Sequence, residues 1–308
     1  MHPKIKRWIY VTGAPRSGTT FAGKILSSSI RVDYIHEPFN PDCGIAGIGQ
    51  PYLYLERGSA REVALRPTID ALFDYKAKLR TGYYKNDTPF QRFAKRFVGS
   101  RGPFHLRLAR LNPFHDAAIV KDPVGCLLTR YLAESYGVKP VIMVRRPVGF
   151  VASSKKLRWE NSLDPIVNQP DLVARFFGDE EHELIERYGS GTPIEKAALT
   201  WRLLNTVLLA FHDAIPGSVL VTHEQLSEEP VATFERIFAG VGLPMTDRIR
   251  ERIARHTSGD GKTGQGRVQR FVRDSKSIAG QSQSLLDADE KKKVMLIAEP
   301  LATRIYGN

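Results

Sequence analysis

The chain has 308 residues and a formal net charge of +12, and 42 % of its residues are hydrophobic. This composition supports a sizeable core and excludes a disordered chain. The sequence has no apolar run of about 18 residues, and its two cysteines, Cys43 and Cys126, are too few for a disulfide framework. Because the basic first segment lacks the pattern of a signal peptide, we expect a cytoplasmic protein, and its charge favours anionic partners.

Short apolar runs alternate with longer helical patterns along the chain, which is typical of a central parallel sheet flanked by helices. The predicted strands are Trp8 to Val11, Val32 to Ile35, Ala117 to Val120, Val141 to Val144 and Ser218 to Thr222. The predicted helices are Thr19 to Ser28, a stretch ending at Tyr136, Val148 to Lys156, Ile194 to Ala214, Pro230 to Ala239, and a last helix from Asp287 to about Tyr306. The sequence therefore predicts an α/β fold of three layers.

Two long segments interrupt this alternation, at about residues 41–116 and 158–191. Connections of this length are uncommon within a compact domain unless they have a function of their own. We expect one domain over residues 1–308 that carries both segments as insertions. A third stretch, residues 258–284, is rich in Gly, Ser, Gln and basic residues and predicts a mobile loop.

The segment Gly13–Thr20 follows the first predicted strand and opens the first helix. Its glycines allow a tight turn, while backbone N–H groups and the helix N-terminus attract phosphate oxygens. The spacing is that of the P-loop, but Thr19 stands where the P-loop lysine belongs and the cation has moved to Arg16. An ATPase or kinase needs that lysine, so the pattern indicates a different phosphate-bearing ligand.

Polar residues follow the other predicted strands at the points where they end. In open parallel sheets, ligands bind at this carboxyl edge, so these residues are predicted to converge beside the loop. In strand order they are His36-Glu37-Pro38, Lys121-Asp122-Pro123, Arg145-Arg146-Pro147 and His223-Glu224.

The text APRSGTTF resembles the 5′-phosphosulfate loop of sulfotransferases that use 3′-phosphoadenosine 5′-phosphosulfate (PAPS), and carbohydrate-type and bacterial members are the most similar. Arg145 and Ser153, eight positions apart, resemble the family's 3′-phosphate element, in which an arginine and a serine bind that group. Arg146 departs from the family, where Asp or Asn is common, so either arginine could point inward. The resemblance implies that the 5′-phosphosulfate is held by Arg16, Ser17, Gly18, Thr19 and Thr20.

The resemblance also implies roles in the transfer itself. Lys121 resembles a lysine that lies near the transferring sulfuryl group, and Arg16 would stabilise charge with it. Glu37 matches a glutamate proposed as the base in carbohydrate-type members. Because side chains alternate along a strand, we expect His36 and Glu37 to face opposite ways, and we favour Glu37 as the base over His36. Arg273 resembles a residue of the late basic loop that closes on the donor.

The implied function is that of a PAPS-dependent sulfotransferase, which moves a sulfuryl group to an acceptor hydroxyl. We favour a glycan or glycolipid as the molecule that carries this hydroxyl. The acceptor class as a whole is a small molecule, a glycan or a lipid; neither a metal nor nucleic acid is expected. The alternatives are a P-loop kinase and a non-enzymatic protein that binds nucleic acid or an anionic membrane surface.

The membrane alternative rests on residues 90–110. Phe90, Phe93, Ala94 and Phe97 form one apolar helical face, with basic residues opposite. We interpret this face as packed on the protein's own core. A basic amphipathic helix at an anionic membrane is the other interpretation.

Overall fold

The computed structural model describes residues 1–83, 87–257 and 285–307. It contains a five-stranded parallel sheet in the order β2-β3-β1-β4-β5. All five predicted strands are confirmed, with ends that differ by one or two residues. The strands are β1 Arg7–Gly13, β2 Val32–His36, β3 Ala117–Lys121, β4 Lys139–Val144 and β5 Val219–Thr222.

Helices cover both faces of the sheet, so the predicted three-layer α/β fold is confirmed. In the described residues they are α1 Thr19–Leu26, α2 Ala60–Phe73, α3 Pro89–Val98, α4 Arg101–Leu111, α5 Thr129–Tyr136, α6 Pro147–Leu157, α7 Asp164–Val167, α8 Pro170–Phe176, α9 Asp179–Tyr188, α10 Pro193–Ala214, α11 His223–Glu228, α12 Pro230–Val241, α13 Asp247–Thr257, α14 Ala288–Ala298 and α15 Leu301–Tyr306.

The two faces of the sheet carry separate hydrophobic cores. On one face, β-strand residues such as Val11 and Ile119 pack with α1, α12 and α13. The other face carries two clusters. One contains residues of α2 and α5, and the other contains residues of α6, α10 and α14. The long helix predicted at Ile194 to Ala214 is α10, and one stripe of it is fully buried in this second layer. The stripe consists of Trp201, Leu204, Leu208 and Phe211.

The two long segments form helices of their own. Residues 41–116 carry α2, α3 and α4, and α4 packs along the edge strand β2. Residues 158–191 carry α7, α8 and α9, and Leu172 of α8 joins the core around α10. That both segments are insertions within one domain stays a prediction.

The C-terminal helix differs from the prediction. Asp287 does cap a helix, because its Oδ1 accepts a hydrogen bond from the Glu290 N–H at 2.8 Å. That helix, α14, ends at Ala298, and α15 begins only at Leu301. Pro300 explains the break, since proline lacks a backbone N–H and clashes with the preceding turn of a helix. The predicted mobile loop at 258–284 lies outside the described residues.

Because every strand is parallel, all carboxyl ends meet at one edge of the sheet. Lys121 of the central strand β3 pairs with His36 of β2 on one side and with Val11 of β1 on the other. Gly13 pairs with Met143, two residues before Arg145, the first polar residue after β4. The sheet thereby brings the polar strand ends together beside the Gly13–Thr20 loop, as the sequence predicts.

Candidate active site

The loop after β1 has the backbone geometry of an anion-binding turn. Gly13 has φ 141°, and a Cβ there would lie 1.9 Å from the Met143 carbonyl oxygen, so only glycine fits. Arg16 (φ 71°) and Gly18 (φ 96°) continue the turn into α1, whose first N–H groups have no acceptor within the helix. The Ser17 hydroxyl is buried and has no hydrogen-bond partner among the described residues. A bound anion would satisfy these donors.

Arg145 and Ser153 meet this loop from the β4 side. Arg145 is 7 % exposed, and its Nη1 donates to the Arg16 carbonyl oxygen at 3.2 Å. The Arg16 side chain in turn donates through Nε to the Ser153 Oγ at 3.2 Å. The structure therefore brings the predicted 5′ and 3′ phosphate-binding residues into direct contact.

The two consecutive arginines take different directions. The carbonyl of Arg145 accepts a hydrogen bond from the Trp201 indole at 2.7 Å, which fixes the backbone at the end of β4. Arg146 is exposed, and its guanidinium lies 4.8 Å from the centre of the Tyr306 ring. Of the two arginines that the sequence leaves open, Arg145 is the one that points into the site.

The residues after β5 adjoin this cationic cluster. Burial, together with the charges of Arg145 and Arg16, lowers the pKa of His223 to about 3, so its imidazole is neutral. Burial raises the pKa of Glu224, whose Oε1 accepts a hydrogen bond from the Arg146 N–H at 3.1 Å. Neutral His223 leaves the positive charge here to the arginines.

Glu37 and Lys121 form an ion pair at the ends of β2 and β3. Lys121 is 1 % exposed, and its Nζ donates to Glu37 Oε1 at 2.5 Å. Asn40 Nδ2 donates to the other carboxylate oxygen at 2.9 Å. Burial by itself would raise the pKa of Glu37, but the Lys121 charge and these hydrogen bonds outweigh it and lower the pKa to about 2. Glu37 is therefore ionised at neutral pH.

His36 lies on the same side as Glu37, so the prediction that they face opposite ways is wrong. The distance from His36 Nε2 to Glu37 Oε1 is 3.8 Å. The physical reason is backbone geometry: β2 ends at His36, and Glu37 has φ 47°, which breaks the alternation of the strand. Burial and the Lys121 charge lower the pKa of His36 to about 3, and its Nδ1 lies 3.2 Å from the Tyr34 hydroxyl.

Asp122 supports this arrangement rather than taking part in it. Its Oδ2 accepts from the Phe39 N–H at 2.6 Å, and its Oδ1 accepts from the N–H groups of Val124 and Gly125 at 2.9 Å. These bonds tie the turn after β2 to the turn after β3. A kinase would need an aspartate here to hold magnesium, whereas Asp122 is committed to backbone amides.

A groove of about 700 Å³ lies between the C-terminal end of α1 and the elements β2, α4 and α13. It is lined in part by Lys24, Tyr34, His105 and Arg252. The Tyr34 ring touches the His105 ring, with centroids 5.0 Å apart, and its hydroxyl contacts His36. One end of the groove is therefore a single side chain away from His36. No sequence pattern indicates this groove, because its lining comes from four separate elements.

Sequence reasoning also missed two supporting residues. Trp201 lies on the buried side of α10, and nothing in the helical pattern of the sequence shows that its indole N–H reaches the carbonyl of Arg145. Asn40, three positions after Glu37, belongs to no motif. Arg273, predicted to close on the donor, lies outside the described residues.

Comparison with known proteins agrees with this geometry. A model of the Sulfotransferase family matches residues 9–247, more than half of the chain. The chain belongs to the sulfotransferase family. The prediction of a PAPS-dependent sulfotransferase is thereby confirmed at the level of the family, and the kinase and non-enzymatic alternatives lose support. No curated protein matches this sulfotransferase significantly.

Solved structures resemble this sulfotransferase over nearly its whole length. The sulfotransferase domain from the curacin biosynthetic pathway has 14 % identity and a TM-score of 0.50, covering 96 % of this chain and 97 % of its own. At this identity the likeness concerns the fold alone. The sulfotransferase domain of the Synechococcus PCC 7002 olefin synthase has 17 % identity, coverage of 98 % and 96 %, and a TM-score of 0.46. Mouse sulfotransferase SULT7A1, complexed with PAP, has 12 % identity, coverage of 97 % and 87 %, and a TM-score of 0.42.

None of the helices in residues 1–83, 87–257 and 285–307 is long and apolar enough to cross a membrane.

Proposed function

We propose that this sulfotransferase moves the sulfuryl group of PAPS to a glycan or glycolipid hydroxyl along the edge of its sheet. The observation that carries the proposal is the strand order β2-β3-β1-β4. Glu37 follows β2, Lys121 ends β3, the anion loop follows β1 and Arg145 follows β4. Neighbouring strands lie about 4.8 Å apart, so these groups span about 14 Å in a line. Along the edge, the proton acceptor would then be followed by the cation beside the transferring sulfuryl group, by the 5′-phosphosulfate site and by the 3′-phosphate site. This is the order in which the acceptor and the donor would have to lie for the transfer.

Donor binding uses the loop and the β4 end. The N–H groups of Ser17 to Thr20 and the Ser17 hydroxyl would bind the 5′-phosphosulfate, because these donors cluster at the start of α1. Arg145 and Ser153 would bind the 3′-phosphate. Arg16 reaches from the loop to Ser153, so its guanidinium lies between the two anionic groups and contributes charge to both.

Sulfuryl transfer is a displacement at sulfur, in which positioning and charge stabilisation do most of the work. Lys121 would stabilise charge on the sulfuryl oxygens, and Glu37 would take the proton of the acceptor hydroxyl. A carboxylate whose pKa is about 2 is a weak base while Lys121 holds it. When Lys121 turns its charge toward the donor, the pKa of Glu37 rises. Donor binding would thus switch on the base.

His36 is the second candidate for the base. Its Nε2 is close to the Glu37 carboxylate, and its imidazole is neutral at physiological pH. If Tyr34 donates its hydroxyl proton to Nδ1, the ring proton lies on Nε2 and His36 cannot accept another there. In that tautomer, His36 holds the Glu37 carboxylate in place instead.

The glycan or glycolipid acceptor is supported by the position of Glu37, which matches the base of carbohydrate-type members. The helices of residues 41–116 and 158–191 would shape the acceptor site, as α4 already packs along the strand that leads to Glu37. Transfer of ³⁵S-labelled sulfuryl groups to a panel of glycans, lipids and phenols identifies the acceptor class. Labelling of phenols alone would refute this part of the proposal.

The donor is tested by thermal unfolding. A ligand that binds only the folded state stabilises it by mass action. We expect 3′,5′-adenosine bisphosphate to raise the melting temperature more than ATP–Mg²⁺ does at equal concentration, because it carries the 3′-phosphate that Arg145 and Ser153 would bind. Adenosine 5′-monophosphate is the matched control. Equal or greater stabilisation by ATP–Mg²⁺ would contradict the donor assignment.

A further inference from the structure

Helix α3 carries an apolar face that nothing in the described chain covers. Phe90, Phe93 and Phe97 are three and four positions apart, so they share one side of the helix. Their exposed fractions are 78 %, 63 % and 64 %. The prediction that this face packs on the protein's own core is therefore wrong. The physical reason is that α4 already occupies the edge of the sheet: its Leu106 and Ala109 are buried beside β2, which leaves α3 outside.

Helix α4 repeats this feature on its outer side. Phe104, Leu108 and Leu111 lie three and four positions apart, opposite the buried residues. Leu111 is 79 % exposed, and the other two are at least 40 % exposed. Outward side chains of a surface helix are normally polar. We name the six side chains of the two helices, Phe90, Phe93, Phe97, Phe104, Leu108 and Leu111, the α3–α4 surface.

The same segment is strongly basic. Residues 88–115 contain no Asp or Glu and have six cationic side chains, a formal charge of +6, from Arg92, Lys95, Arg96, Arg101, Arg107 and Arg110. Some of this charge is engaged: Lys95 pairs with Asp87 at 2.5 Å, and Arg110 donates to the carbonyls of Tyr75 and Ala77. Arg92 and Arg96 lie on the same helix, α3, on the side away from its exposed phenylalanines.

We propose that the α3–α4 surface docks on an anionic lipid bilayer. The phenylalanines and leucines would enter the boundary between headgroups and acyl chains, while the arginines would contact anionic headgroups. Two other binding partners would match either the charge or the apolar side chains of this surface, but not both. Nucleic acid would pair with the arginines but leave the phenylalanines in water. A second copy of the chain would cover the phenylalanines but bring two segments of +6 charge together.

The position of α4 links this surface to the candidate base. A Cβ at Gly102 would lie 3.2 Å from the His36 carbonyl oxygen, so the start of α4 lies against the end of β2. The His105 ring lies 6.3 Å from the His36 ring. A docked bilayer would therefore lie near Glu37 and favour a hydroxyl carried by a lipid. This consequence rests on the proposed function, whereas docking itself does not.

Vesicle co-sedimentation of the full chain tests the docking. We expect binding to vesicles of equimolar phosphatidylcholine and phosphatidylglycerol, weak binding to phosphatidylcholine alone, and a loss of binding as salt is added. Arg92→Gln/Arg96→Gln should weaken binding by about 25-fold, because each of the two charges near the surface contributes about fivefold. The triple variant Phe90→Ser/Phe93→Ser/Phe97→Ser should weaken it by more than about tenfold.

Matched controls lie on α14, far along the chain. Leu296 is 61 % exposed, and Leu296→Ser should leave binding unchanged. Lys291→Gln/Lys292→Gln removes the same charge as the arginine pair and should have the smaller effect. Stabilisation of the triple variant by 3′,5′-adenosine bisphosphate, equal to that of the unmodified protein, verifies that it is folded.

Three results would overturn the proposal. They are equal binding to neutral and anionic vesicles, binding that the phenylalanine substitutions leave unchanged, and a dimer of the unmodified chain that the triple variant converts to monomer. Failure of the vesicle test would leave the donor assignment intact, because that depends on the opposite half of the sheet edge.

Discussion

The two halves of the sheet edge carry their charges in different ways. At the β1–β4 half, Arg16 and Arg145 donate to neutral oxygens, the Ser153 hydroxyl and a backbone carbonyl. At the β2–β3 half, Lys121 is neutralised by Glu37 within a buried ion pair. An anion that binds at the β2–β3 half must therefore compete with Glu37 for Lys121. Binding and chemistry should accordingly respond to different substitutions.

The largest expected effect separates catalysis from binding. Glu37→Gln keeps the size of the side chain but removes its ability to take a proton at neutral pH. We expect turnover to fall by about 10²–10⁴-fold, the usual contribution of general-base catalysis, with donor affinity unchanged. Turnover is measured with ³⁵S-labelled donor and affinity by thermal shift with 3′,5′-adenosine bisphosphate.

The control is His36→Ala, which removes the neighbouring side chain at the same strand end. A smaller loss of turnover is expected, because His36 would only position the carboxylate. If His36→Ala abolishes turnover while Glu37→Gln retains it, His36 is the base and Glu37 is the residue that positions it.

The second prediction breaks the ion pair. Lys121→Met keeps the length of the side chain but leaves the Glu37 carboxylate buried without its cation. Breaking a buried pair costs about 3–5 kcal/mol, so we expect a loss of that order in the free energy of unfolding at pH 7. Urea denaturation of the donor-free protein measures it.

The pH dependence of this loss gives the sharper test. In the unmodified protein the pKa of Glu37 is lowered to about 2, so ionised Glu37 contributes stability that is lost as the pH falls from the unfolded-state pKa through that value. In Lys121→Met, burial raises the pKa of Glu37 above about 4.3, its value in an unfolded chain. Stability from this group then falls as the pH rises. The loss should be smaller at pH 4 than at pH 7, and Lys121→Met/Glu37→Gln should recover part of it. A loss independent of pH would show that the two side chains are not coupled.

The smallest effect concerns the donor half. Arg145→Ala removes charge-assisted hydrogen bonds worth about 1.5–3 kcal/mol, so the preference for 3′,5′-adenosine bisphosphate over adenosine 5′-monophosphate should largely vanish. Arg146→Ala is the matched control, because its side chain is exposed and lies over Tyr306. Isothermal titration of both nucleotides measures the preference. Loss of the preference in Arg146→Ala alone would move the 3′-phosphate contact to that residue.

Local patterns along the chain were enough to predict the five strands, several of the flanking helices and the anion loop. These features depend on short-range signals: apolar runs of strand length, prolines and glycines at their ends, and the Gly13–Thr20 spacing. Parallel pairing then carries the polar strand ends to one edge, so the placement of Glu37, Lys121 and Arg145 along that edge could also be predicted.

The directions in which individual side chains point, in contrast, depend on contacts between distant parts of the folded chain. The shared side of His36 and Glu37 follows from φ 47° at Glu37, where the turn is held by a hydrogen bond from the Glu37 N–H to the Lys121 carbonyl at 2.8 Å. The backbone of Arg145 is held by the indole of Trp201, 56 residues later, and its side chain donates to the carbonyl of Arg16. Phe93 is exposed because α4, and not α3, packs beside β2. In each case the deciding contact comes from another element of the fold, so no local pattern of the sequence contains it.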